Sequence, residues 1–225
     1  MHKRPLLALC GASLTLSLTL AANAFAAGNQ VSVRIEGRSH TLLDTTVVHT
    51  HAGSITKGGA PAGNCPATSA AGALDVATHG RWGGKYYSST MPAGIFITSI
   101  FGARPPTVND YWTVFVDNRT AASGICALKL HRNEQLLFAV TNGSQFPIVL
   151  NAPKRAKASR PFKVKAFYYT RKGVAKPLAR VRIDGAVTNR SGIATITDKR
   201  AGKLTLTASR TGYIRSAPAT VSVSR

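Results

Sequence analysis

The chain has 225 residues, with 29 Lys or Arg against 8 Asp or Glu, a formal charge of +21. That length holds one large or two small domains. Beyond the first twenty residues no segment is apolar and long enough to cross a bilayer as a helix, which excludes a multi-spanning protein built from helices.

Met1-His2-Lys3-Arg4 is a short basic start, and Leu6 to Leu20 carries no charge. Ala22-Asn23-Ala24 and Ala24-Phe25-Ala26 both meet the small-x-small rule, so residues 1–26 read as a cleavable secretory signal. The uncharged run is too short for a comfortable membrane anchor. Cys10 follows Leu9 deep inside that run, which does not suit lipoprotein processing. The mature chain keeps Cys65 and Cys126, and two thiols in an exported protein most simply form one disulfide.

Val31, Val33 and Ile35 alternate with polar residues as in a half-buried strand, and Thr41 to Thr50 reads as its hairpin partner across Gly37-Arg38-Ser39. Ala52 to Asn64 is a Gly-, Ala- and Pro-containing loop. Pro66 and the run Ala70 to Ala77 predict a helix that stops near Gly80. Arg81 to Tyr87 reads as a turn with aromatic flanks. Ile95–Ile100, Trp112–Val116, Cys126–Leu130 and Gln135–Val140 read as strands. The order gives an α+β unit over residues 27–143, one main helix on a mixed sheet, with the disulfide pinning helix to sheet.

From residue 144 the texture changes. Ile148 to Leu150 is a short strand, Asn151 to Pro161 a polar basic stretch, and further alternating strands begin at Phe162 and Ala179. Short strands separated by Gly185, Gly192, Gly202 and Gly212, without a helix, predict an all-β sandwich over residues 144–225. Charge follows the same division. Residues 27–143 carry 9 basic and 6 acidic groups, a net of +3, whereas residues 144–225 carry 18 and 2, a net of +16.

Val31 to Gly37 with Thr41-Leu42-Leu43, Ala70 to Asp75, Trp82-Gly83-Gly84, Tyr111 to Asn118, Gly124-Ile125-Cys126 and Asn133 to Phe138 follow one another in the first unit. In that order they resemble a family of largely uncharacterised bacterial domains related to the transcobalamin C-terminal domain. The resemblance covers about 110 residues and implies a β-grasp fold. Vitamin-binding relatives contact cobalamin with this domain, so it also implies a small, flat, corrinoid-like ligand. The second unit resembles the immunoglobulin-like modules of bacterial envelope proteins through Pro147 to Leu150, Pro161 to Val164, Thr188 to Ile196 and Val221-Ser222-Val223. That resemblance implies spacing or adhesion.

Candidate sites divide by chemistry. His49 and His51 share a strand face, but no third ligand stands at a telling spacing, so no metal is read here. No carboxylate pair, nucleophile elbow or cofactor motif marks an enzyme. Trp82, Tyr86, Tyr87, Tyr111 and Trp112 form an aromatic group suited to core packing or to stacking on a ligand. Lys154, Arg155, Lys157 and Arg160 cluster, and Lys163, Lys165, Arg180 and Arg182 alternate with core residues, so they are expected to face water together. So dense a positive charge is self-repelling unless a partner neutralises it. The partner expected of an exported protein is an anionic cell-envelope polymer or surface, with nucleic acid disfavoured by location. The function expected is therefore a secreted or envelope-associated, non-enzymatic binding module without a cofactor, with a soluble binder of a small corrinoid-like ligand as the alternative.

Overall fold

The computed structural model describes residues 28–89 and 94–225. Residues 1–26, read as the export signal, lie outside the described residues. Strands dominate, and there is one α-helix among the described residues. None of the helical segments there is long and apolar enough to cross a membrane.

The first part of the chain forms β1 (Gln30–Glu36), β2 (Thr41–His49), α1 (Ala70–Thr78), β3 (Trp82–Tyr87), β4 (Gly94–Ile100), β5 (Tyr111–Val116), β6 (Arg119–Thr120) and β7 (Gln135–Thr141). One mixed sheet runs β2-β1-β7-β5-β6, with β1 and β7 parallel and the other pairs antiparallel. The hairpin β3–β4 is a separate two-stranded sheet. Ala70, Ala71, Ala73, Leu74 and Ala77 of α1 pack with Val31, Val33, Ile35, Leu136 and Phe138 in one core. Small helical residues let the helix lie close to the sheet.

Cys65 and Cys126 are disulfide-bonded, closing 61 residues. The partner segment of Cys65 is a turn and not the expected strand at Cys126–Leu130. The reason is local hydrogen bonding. The carbonyls of Leu128 and Ile125 accept from the N–H groups of Ala70 and Ala71, donors that the first turn of a helix cannot satisfy internally. Ser69 Oγ also accepts from Ala71 N. Helix α1 therefore starts at Ala70, beyond Pro66, and the disulfide pins its approach to a capping loop.

Trp82–Tyr87 is likewise a strand and not a turn. Gly83 and Gly84 sit at a register shift in the β3–β4 ladder, and a Cβ on Gly84 would lie 2.3 Å from Ile95 Cγ2. The glycines serve close packing at a bulge rather than chain reversal.

The second part forms β8 (Val149–Asn151), β9 (Arg155–Lys157), β10 (Phe162–Tyr169), β11 (Ala175–Pro177), β12 (Arg182–Ile183), β13 (Ala186–Val187), β14 (Ile193–Ile196), β15 (Gly202–Leu206), β16 (Ala208–Ser209) and β17 (Ala219–Ser224). They make three small sheets: β11-β10-β14 with β8, β13-β12-β16, and β15-β17-β9. A second core includes Val164, Ala166, Ile183, Ala194, Leu206 and Val221. Within the polar stretch Asn151–Pro161, Arg155–Lys157 pairs in parallel with the last strand. The strand expected at Ala179–Ile183 is reduced to Arg182–Ile183. Arg180 adopts a left-handed φ of 57°, which interrupts the ladder before it.

Candidate functional site

Strand β7 reads Gln135-Leu136-Leu137-Phe138-Ala139-Val140-Thr141, an unbroken apolar run from Leu136 to Val140. Such a run belongs to a strand covered on both faces. Leu136, Phe138 and Val140 join the core beneath α1. Leu137 and Ala139 point the other way and meet Phe115 and Ile214 in a small buried cluster. Ile214 comes from the second part of the chain. It is held there by hydrogen bonds from Ile148 N to its carbonyl and from its own N–H to the Phe146 carbonyl, each 3.0 Å.

Beside this apolar contact lies a buried ionic one. Arg34 and Glu36 of β1 are only 4% and 1% exposed. Arg34 Nη1 donates to Glu36 Oε1 at 2.5 Å and to the Ser216 carbonyl, and Nη2 donates to the Arg215 carbonyl. Arg215 Nη2 donates to Glu36 Oε2 and to the Gly37 carbonyl. Thr41 Oγ1 also donates to Glu36. Burial pulls the Arg34 guanidinium below its ordinary value and Arg215 adds to that effect, while Glu36 works against both. One carboxylate thus ties two arginines and both parts of the chain together.

The same junction walls an open cleft of about 920 Å³. Arg38, Arg180, Arg182, Arg210 and Arg215 line it, and the lining contains no Asp or Glu. Arg38 comes from the β1–β2 turn and donates to Asp110 at 3.0 Å. Arg210 donates to the Ala179 carbonyl and lies over the Tyr213 ring. The Tyr213 phenol is pushed up, by burial first and by Tyr168 next, against the opposing effect of Arg210. Arg182 faces Ser209 across β12–β16. Its hairpin turns at Asp184-Gly185, both with positive φ, as a two-residue turn requires. Guanidinium groups offer planar pairs of N–H donors that fit oxyanions. The cleft can therefore hold an anion. No family model matches this chain, and no curated protein matches it significantly.

The residues singled out from the sequence fall in several places. Arg180 and Arg182 line the cleft, but Lys163 and Lys165 stand exposed on β10, in a different sheet, paired with β14. Lys154, Arg155, Lys157 and Arg160 are exposed around β9. The expected common face is thus divided among separate sheets. The aromatic group is divided too. Trp82 is buried, donates to Asp75 Oδ1 and lies under Lys57. Tyr86 accepts from Asn64, and Tyr87 stacks edge-on with Phe96. Tyr111 and Trp112 instead line an apolar cleft of about 540 Å³ between β4 and β5. His49 and His51 are both exposed. Arg38, Arg210 and Arg215 were not among the sequence candidates. They lie singly at residues 38, 210 and 215, with no local cluster to mark them.

Proposed function

We propose that this chain is an exported, non-enzymatic binding module that holds an anionic polymer of the cell envelope. The observation that carries the reading is the convergence of five arginines on a cleft whose lining has no carboxylate. Exposed cations on β9 and β10 add positive charge elsewhere on the second part of the chain. The fold resemblances fit the reading. The order β2-β1-β7-β5 with parallel central strands and one helix supports a β-grasp unit, and the short sheets around a single core support an immunoglobulin-like sandwich. The disulfide is compatible with an oxidising location.

The test is retention of the exported protein on purified cell wall across a salt series. Retention should weaken by about 10-fold or more between about 50 and 200 mM salt, because each polymer charge neutralised releases a counter-ion. Retention indifferent to salt would overturn the proposal.

A second reading, a binder of a small flat ligand, is favoured by the apolar cleft at β4 and β5. Trp112 lines it, and the indole Nε1 of that residue is buried without an acceptor. A thermal-shift screen with corrinoids and other flat ligands distinguishes this reading, since it predicts stabilisation that salt does not abolish.

A further inference from the structure

We propose that the arginine cleft is a site for clustered phosphate, a pyrophosphate-like or polyphosphorylated group, rather than for the spaced carboxylates of an acidic glycan. This rests on the reading of the chain as a binder of anionic envelope material and names the chemistry that its central site selects.

The first ground is charge density. Arg38, Arg180, Arg182, Arg210 and Arg215 line the cleft with Arg34 behind it, and among the described residues the carboxylates bonded to them are Glu36 and Asp110. Of the five lining arginines, Arg38 and Arg215 are paired with Asp110 and Glu36, while Arg180, Arg182 and Arg210 have no ion-pair partner among the described residues. An acidic glycan supplies about one charge per sugar ring, spread along the chain. A pyrophosphate supplies several within the width of one ring, which is what a compact cluster of guanidinium forks is suited to hold.

The second ground is strain. Arg180 has a left-handed φ of 57°, a conformation that non-glycine residues rarely adopt. The surrounding bonds impose it. Arg180 N donates to the Thr188 carbonyl, Thr188 N donates to the Val181 carbonyl, Val181 N donates to Thr188 Oγ1, and that hydroxyl donates to the Leu178 carbonyl. Thr188 is 3% exposed, so the irregularity is fixed from inside. It breaks the strand just where Arg180 joins Arg182 in the cleft wall, and a kink held at a cost is characteristic of a positioned side chain.

The third ground is position. Arg215 is fixed through Nη2 on Glu36 and Gly37, and its side chain is 28% exposed in the cleft wall, so a guanidinium already held in place faces the ligand. Since Arg38 belongs to the β1–β2 turn and the other lining arginines to the second part of the chain, the ligand would also bridge the two parts.

The experiment is titration calorimetry on the exported protein with sodium pyrophosphate, inorganic phosphate and digalacturonate as probes. Parallel arms use soluble polyphosphate and vesicles containing phosphatidic acid. Pyrophosphate is expected to bind at least about 10-fold more tightly than digalacturonate, and R180Q/R182Q to lose about 10-fold in pyrophosphate affinity. The control K163Q/K165Q should stay within about two-fold of the parent. Both mutated arginines are exposed, so the fold is expected to survive, and an unchanged melting temperature verifies it. Retention by the vesicles assigns the phosphate to a lipid headgroup, and retention by soluble polyphosphate alone assigns it to a polymer; either sustains the site. Equal affinity for pyrophosphate and digalacturonate, or indifference to R180Q/R182Q, overturns it. If wall retention then still falls with salt and with K163Q/K165Q, the envelope-binding reading survives without the cleft. If retention ignores salt and both variants, the two fall together.

Discussion

Glu36 shows how one side chain sets the electrostatics of the junction. Its carboxylate is almost fully buried and accepts from Arg34, Arg215 and Thr41. Removing that charge leaves Arg34 buried beside a second cation, the situation in which broken ion pairs cost most. Glu36→Gln is expected to lower stability by about 3–5 kcal/mol in urea unfolding. Adding Arg34→Met to Glu36→Gln should recover a substantial part of the loss, because the stranded charge is then gone. A Glu36→Gln variant as stable as the parent would show that the network contributes little.

At the scale of elements, α1 depends on a loop distant in sequence. Its first N–H groups are satisfied by the carbonyls of Ile125 and Leu128, and Cys126 between them is bonded to Cys65 just ahead of the helix. Cys126→Ser should cost about 2–4 kcal/mol through the freed unfolded chain. It should also speed amide hydrogen exchange at Ala70 and Ala71 more than at Leu74, since the cap loosens before the helix body. Uniform exchange along α1 would mean that the bond acts only on the unfolded state.

For the molecule as a whole, the decisive contact is Ile214 against Phe115, Leu137 and Ala139. It covers the sheet face opposite α1 and holds the walls of the arginine cleft together. Calorimetry of the parent protein should give one cooperative transition. Ile214→Asp, which puts a charge into that apolar cluster, should split it into two, one for each core, and weaken anion binding as Arg38 separates from Arg180 and Arg182. A single transition at an unchanged temperature would show that the two cores are coupled by some other contact.

The sequence by itself determined whatever depends on neighbours along the chain. Val31, Val33 and Ile35 alternate because β1 has one face beneath α1, and Ala70 to Ala77 form a helix because small residues recur there with helical spacing. Cys65 and Cys126, the pair expected from the sequence, are joined. The local signal failed where a residue type has two structural uses. Gly83-Gly84 looks like a turn but packs a strand against Ile95, and Cys126 to Leu130 looks like a strand but spends its carbonyls on a helix. The run Gln135 to Val140 read as a strand, but its burial on both faces, beneath α1 and against Ile214, came only from the fold. The arginine cleft was beyond reach, because its parts are separated by up to 177 residues. The surplus charge of residues 144–225 was legible as composition. Only tertiary structure placed Arg38 from one part of the chain beside Arg180, Arg182, Arg210 and Arg215 from the other, since that convergence follows from how the buried Ile214 and Glu36 contacts dock the two parts.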